Sequence, residues 1–169
     1  MNEAKATVLE QIAEKKGLRT EHVGRLDAFA RRVAFAESKG DPKAKQTSDG
    51  PGRGLYQHEE GESTEALQQR VTNYEKTYGV IPLSKEDRKA LEDGKVTDMS
   101  ADAQTAVTLA GWVMKTPGDE VGELARGDYK MGQFWLDYHW AGAEEDAPAK
   151  KEQWVREMED YRRMHGGAN

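Results

Sequence analysis

Apolar residues recur along most of this chain at spacings of three and four, the period of an amphipathic helix. In residues 3–16 they fall on Ala4, Val8 and Ile12, and Gly17 follows as a natural C-terminal stop. A second helix is expected from a Thr20 cap to Ser38, with Leu26, Ala30 and Val33 on its inward stripe. A third opens at Ser63 or Thr64, carries Leu67, Val71, Tyr74 and Tyr78 on one face, and ends at Gly79. Ser84 with Asp87 has the form of a capping box and begins a short helix closed by Gly94. Residues 101–115, after a Ser100 cap, are the most continuously apolar stretch. They predict a central buried helix in which Ala106, Ala110 and Gly111 admit close neighbours. Thr116-Pro117-Gly118 breaks it. Helices are then expected over 119–126 and 128–139, and a last one over 147–165 with Trp154, Met158 and Tyr161 facing inward.

Only Lys39 to His58 lacks a helical stripe. Glycines at 40, 50, 52 and 54, with Pro42 and Pro51, leave room for at most a small strand over Arg53–Gln57. A long irregular stretch inside a compact domain is commonly functional. The chain has no internal repeat and no linker composition. Residues 1–169 are therefore expected to form a single all-α domain, or α with a minimal β element. Within it, 1–19 read as a peripheral N-terminal helix and 147–165 as the C-terminal helix.

Composition narrows the classes. A length of 169 residues suits one ordinary domain. Charged residues reach 33%, but both signs are interleaved, which marks a folded charged surface and not a disordered tail. Twenty-five basic against 31 acidic residues give a net charge of −6, the wrong sign for a general polyanion binder, so no nucleic-acid partner is expected. No apolar run approaches the roughly 20 residues that span a bilayer. Met1-Asn2-Glu3-Ala4-Lys5 lacks the basic-then-apolar opening of a secretory signal. The absence of cysteine excludes a disulfide scaffold, a thiol nucleophile and a cysteine zinc site.

The chemistry starts at Glu37. It occupies the position after Val33 on the inward stripe of the second helix, where the pattern asks for an apolar residue. It also lies in the last turn, where the helix dipole disfavours negative charge. Burial and dipole both raise a carboxyl pKa, which is what a general acid requires. The plainer alternative is a helix-end glutamate paired with Arg31, Arg32 or Arg53.

The residues that follow bear on this choice. Glu37-Ser38, Pro42, Ala44, Ser48 and Gly54-Leu55-Tyr56-Gln57 resemble the lysozyme-like lytic transglycosylases, in which a Glu-Ser pair closes a helix. In that family a Pro, an Ala and a Ser follow, then a glycine-rich run ending Gly-Leu-aromatic/Met-Gln. Ser100, Gln104 and Gly127-Asp128 through Trp140-Ala141 resemble, more loosely, the C-terminal half of lambdoid-phage-type endolysins. The loop between Ala44 and Gly54 is longer than the family's commonest version. Arg53 stands between glycines where the family more often has a small apolar residue.

The resemblance implies a lysozyme-like fold and cleavage of the MurNAc-GlcNAc β-1,4 bond of peptidoglycan, with no cofactor and no metal. Glu37 would be the catalytic residue, and Ser48, Gly54, Leu55, Tyr56, Gln57, Gln104 and Tyr138 would bind substrate. The implied partners are peptidoglycan glycan strands and other phage virion proteins. The implied location is a phage virion, or a host cytoplasm with access to the periplasm.

Breaking a glycosidic bond needs a proton on the leaving oxygen while oxocarbenium-like charge develops. A hydrolase also needs a second carboxylate, roughly 6.5–9.5 Å away if inverting and about 5–5.5 Å if retaining. Asp41, Asp49, Glu59 and Glu60 are available, but the family supplies no obligatory partner. The expected route is therefore one glutamate and a 1,6-anhydro product. Water-based hydrolysis with Asp49 or Glu59 as base competes with it, as does a structural virion subunit whose site is idle.

Tyr129, Phe134, Trp135, Tyr138 and Trp140 form an aromatic cluster of the kind that stacks on sugars. Phe134 and Trp135 read as core, and the resemblance gives Tyr138 the task of reaching Glu37. The histidines at 22, 58, 139 and 165 have no metal-ligand spacing and read as exposed or capping residues. Gly50-x-Gly52-x-Gly54 is neither a dinucleotide fingerprint nor a phosphate loop.

Overall fold

The computed structural model describes residues 3–45, 52–59, 62–139 and 147–165. They form an all-α fold with one minimal β element. In chain order the elements are α1 (Glu3–Lys16), α2 (Thr20–Ser38), β1 (Gly52–Arg53), β2 (His58–Glu59), α3 (Glu62–Thr77), α4 (Lys85–Glu92), α5 (Ala101–Lys115), α6 (Glu120–Arg126), α7 (Met131–Phe134) and α8 (Ala147–His165). A 3-10 turn, Val96–Asp98, precedes α5. One π-helical turn, Trp135–His139, continues α7 without a break.

α5 is the centre. Its residues from Ala103 to Val113 are buried without interruption. α1 and α3 pack against it, and α2 packs against α6 and α8. Small residues make the close approach possible: a β-carbon added at Gly111 would stand 3.5 Å from Leu67 Cδ1 of α3. Leu67, Val71 and Tyr74 are buried, as the α3 stripe predicts.

α1 is not peripheral. Ala4, Val8 and Ile12 are buried in the main core together with Leu9. The free N-terminal amides of α1 are met by α5, since Asp102 accepts from the Ala4 and Lys5 N–H groups at 3.0 and 3.3 Å. Asp87 plays a similar part further along. Ser84 caps α4 by accepting from Asp87 N–H. The Asp87 carboxylate does not complete the box; it accepts from Ser100 N–H and Oγ at 2.7 and 2.9 Å, and Ser100 in turn caps α5. Two helix starts are thereby tied together.

Three local expectations change. The cap of α2 is Arg19 rather than Thr20, and the Arg19 N–H donates to His22 Nδ1 at 3.0 Å, so His22 is a capping residue. The helix expected from 128 begins later, because the Asp128 and Tyr129 amides turn back to Glu123 O and end α6 first. Arg53–Gln57 is not one strand. Gly52 pairs with Glu59 and Arg53 with His58, and Gly54-Leu55-Tyr56-Gln57 is the turn between the strands, closed by Gln57 N–H to Gly54 O at 3.2 Å.

Among the described residues no helix is long and apolar enough to cross a membrane.

Candidate active site

α2 stops immediately after Glu37-Ser38. Lys39 turns left-handed at φ 55° and Gly40 at φ 82°, and their amides return to Phe35 O and Ala34 O at 2.9 and 3.3 Å. The two residues of the pair then part company. Ser38 Oγ lies 2.8 Å from Ala34 O and 2.9 Å from Leu55 O, its one proton held between them, so it fastens the helix end to the hairpin turn. Glu37 faces the other way.

The Glu37 side chain is half-buried, and its Oε1 accepts from Trp135 Nε1–H at 2.9 Å. Trp135 is fully buried and lies against Trp154, with ring centres 5.2 Å apart and planes 32° apart. Lys150 Nζ sits 5.9 Å from the Trp135 ring centre. Burial pushes the Glu37 carboxyl above the ordinary glutamate value, while the Trp135 hydrogen bond and the Lys150 charge pull it part of the way back. The net direction is upward. The hydrogen bond to this carboxylate comes from an indole and not from Arg31, Arg32 or Arg53; Arg31 pairs with Asp27.

Tyr138, expected to reach Glu37, packs instead against Phe134 and Tyr129, with centroids 5.0 and 6.0 Å away. Trp135 opens the π-helical turn with α-helical angles and is buried, while Tyr138 lies three residues further along the same turn.

The turn residues support the site from behind. Leu55 and Tyr56 are 6% and 2% exposed, so neither presents a face to a sugar. Tyr56 Oη donates to Ala30 O at 3.1 Å and lies 3.0 Å from Thr105 Oγ1. Gln104 is also wholly buried: its Oε1 accepts from Leu55 N–H at 2.9 Å, and its Nε2 donates to Pro42 O and Met99 O at 3.0 Å each. The substrate-binding role expected of Leu55, Tyr56 and Gln104 is therefore corrected to that of struts. Gly54 is required at φ 80°, because a β-carbon there would stand 2.4 Å from Gln104 Oε1. Gln57, half-buried at φ 52°, donates to Gly54 O at 2.9 Å and reaches Ala44 O at 3.4 Å. Ser48, Asp49, Glu60 and Trp140 lie outside the described residues, as does the side chain of Glu59.

Sequence reasoning missed the histidines. His58 and His139 are neither exposed nor caps: they lie among protein neighbours on most sides, with ring centres 6.3 Å apart. Thr108 donates its proton to Gln104 O at 2.7 Å, so at its 2.7 Å contact with His58 it accepts from His58 Nε2–H. His139 Nδ1 accepts from Trp112 Nε1–H at 3.1 Å, and its Nε2–H donates to Tyr56 O at 2.9 Å. Burial, reinforced by nearby positive charge, pushes His58 down to about 4 and His139 to about 3, so both are neutral at pH 7. The signal was on α5 all along. Gln104, Thr108 and Trp112 recur at intervals of four along one face of α5, and each holds one piece of the site.

No protein-family model, no curated protein and no solved structure matches this chain.

Proposed function

We propose that this chain is a peptidoglycan lytic transglycosylase of bacteriophage type, with a lysozyme-like fold, that cleaves the MurNAc-GlcNAc β-1,4 bond using Glu37. The observation that carries the proposal is the Glu37–Trp135 contact: a carboxyl at the end of a core helix, raised by burial yet given one N–H donor. A carboxyl set against a tryptophan in apolar surroundings is a known way to keep a general acid protonated near neutrality. Trp135 occupies Oε1, which leaves Oε2 to carry the proton.

The steps balance with one glutamate. Protonated Glu37 gives its proton to the glycosidic oxygen as the C1–O bond breaks and the GlcNAc alcohol leaves. The resulting carboxylate, stabilised by the Trp135 N–H, removes the C6 hydroxyl proton of the muramoyl ring. O6 then bonds to C1, closing a 1,6-anhydro ring and restoring the acid. Lys150 is the charge that acts on Glu37, while Asp49 and the side chain of Glu59, the bases a hydrolase would use, lie outside the described residues. The anhydro route rests on the family resemblance.

The substrate is peptidoglycan glycan strands, met from a virion or during lysis. The test is digestion of purified peptidoglycan by the wild type and by Glu37→Gln, with mass spectrometry of the products. Anhydromuropeptides from the wild type alone are expected. Reducing ends would convert the reading to a muramidase, and silence from both proteins would leave an idle virion subunit.

A further inference from the structure

Glu37 and Trp135 meet at the close of a circuit that runs through the hairpin turn. On one side, Ser38 follows Glu37 at the end of α2, and its Oγ lies 2.9 Å from Leu55 O. On the other, His139 ends the π-helical turn that Trp135 opens, and its Nε2 lies 2.9 Å from Tyr56 O. Leu55 and Tyr56 are consecutive, so the acid and its donor are both referred to one pair of neighbouring carbonyls. The 2.9 Å bond from Trp135 Nε1–H to Glu37 Oε1 closes the ring.

The two carbonyls are themselves anchored. Gln104 Oε1 accepts from Leu55 N–H at 2.9 Å, and the buried Tyr56 has its hydroxyl on Ala30 O at 3.1 Å. His139 is held from its other nitrogen as well, with Nδ1 3.1 Å from Trp112 Nε1 of α5. An indole N–H can only donate and a carbonyl can only accept. The two contacts therefore fix one tautomer, with Nδ1 bare and the proton on Nε2. A ring that accepts from the central helix and donates to the hairpin ties down the end of the π turn at two points. Trp135 stands four residues back on that same turn. A hydrogen bond keeps its strength only while its donor angle stays above about 150°. A small shift of the turn would thus loosen the bond to Glu37.

We propose that His139 is a positioning residue for Glu37: by tying the π turn to α5 and to the Tyr56 carbonyl, it holds the Trp135 N–H on the Glu37 carboxylate. It acts through Trp135 and not on the acid itself. Its part in catalysis rests on the transglycosylase reading; the circuit of hydrogen bonds does not. A structural prop and a positioning residue differ in one respect. Loss of a prop costs stability and leaves the acid as it was. Loss of a positioning residue also changes how tightly Glu37 holds its proton, because the Trp135 bond favours the carboxylate.

The experiment follows Glu37 through a pH series by NMR of the full chain, with glutamate labelled at the carboxyl carbon and the signal assigned by its loss in Glu37→Gln. His139→Phe is expected to raise the Glu37 midpoint by about one pH unit, the equivalent of one modest hydrogen bond. His139→Gln, which keeps a side-chain donor for the Tyr56 carbonyl, should bring the midpoint back toward the wild type. In a Trp135→Phe background, which already lacks the indole donor, His139→Phe should add nothing further. Ser38→Ala loosens the circuit from the Leu55 side without touching a core ring. It should move the midpoint the same way, and it supplies the reading if His139→Phe does not fold. A midpoint unmoved by His139→Phe or by Ser38→Ala would overturn the proposal, as would an equal rise in the Trp135→Phe background. No step of the titration needs peptidoglycan, so the two proposals separate. An unmoved midpoint in a chain that releases anhydromuropeptides sinks the positioning role and leaves Glu37 as the acid. A midpoint that moves in a chain that releases none keeps the positioning role and sinks the enzyme.

Discussion

The Trp135 indole donates a hydrogen bond to the Glu37 carboxylate at 2.9 Å across 98 positions of sequence. Each residue is placed locally, but only the fold brings the two together. Glu37 is set by the abrupt stop of α2, and Trp135 by the π turn and by its packing on Trp154.

Replacing Trp135 by Phe keeps a ring in the core but removes the donor, together with part of the indole volume packed on Trp154. The carboxylate loses the bond that favours its charged form, so the Glu37 pKa rises further. The pH–rate profile on peptidoglycan is expected to move its alkaline limb upward while the maximal rate drops about tenfold, the equivalent of one modest charge-assisted hydrogen bond. A profile that keeps its position would remove the indole from the mechanism.

Glu37 also leaves a mark on stability. Its folded pKa lies above the unfolded one, so the folded state holds the proton more tightly. The resulting stabilisation is complete below the unfolded value and disappears as pH rises through the folded one. Glu37→Gln, which never ionises, should therefore match the wild type in acid and gain on it as the pH climbs past the ordinary glutamate range. Thermal melts at a series of pH values measure this directly.

His139 predicts the opposite slope. Its folded pKa falls to about 3 from the ordinary 6.5. The unfolded chain takes up the proton first, and the wild type loses stability as pH drops from 6.5 through about 3. His139→Phe leaves the Trp112 N–H and the Tyr56 carbonyl without their ring partner and should cost roughly 2 kcal/mol at pH 7. The gap to the wild type should then narrow in acid. Chemical denaturation at two pH values suffices, and a gap that stays constant would mean that His139 is not held neutral.

Gly54→Ala sets a methyl group against Gln104 Oε1, an atom that cannot swing away without releasing Leu55 N–H, Pro42 O and Met99 O. With the strain of a left-handed alanine added, a loss of about 2–4 kcal/mol is expected in urea unfolding. A neutral result would show that Gln104 has a second position open to it.

The helices were legible because burial of one face imposes a period on the sequence. The stripes of Leu67-Val71-Tyr74 and of Ala4-Val8-Ile12 are buried where the pattern put them, and 101–115 is the central helix. The position of Glu37 on an apolar stripe could be read for the same reason, as could the turn chemistry of Gly54. Contacts between distant elements leave no such period. Trp135 is in the core, as its position suggests, but it also makes the contact with Glu37 that the family resemblance had given to Tyr138, and nothing in 128–139 announces the π turn on which both lie. Leu55, Tyr56 and Gln104 were given to the substrate by the family resemblance. They are buried because the turn folds down onto α5, where backbone amides and carbonyls need partners away from water.

The amino-acid order alone thus determined which segments are helical, that a glutamate stands on an apolar stripe and where the chain must turn, because these depend on local periodicity and backbone freedom; the resemblance alone made that glutamate the candidate acid. Tertiary structure decided which aromatic ring touches that acid and which polar groups are struts, because each of these needs two elements to meet.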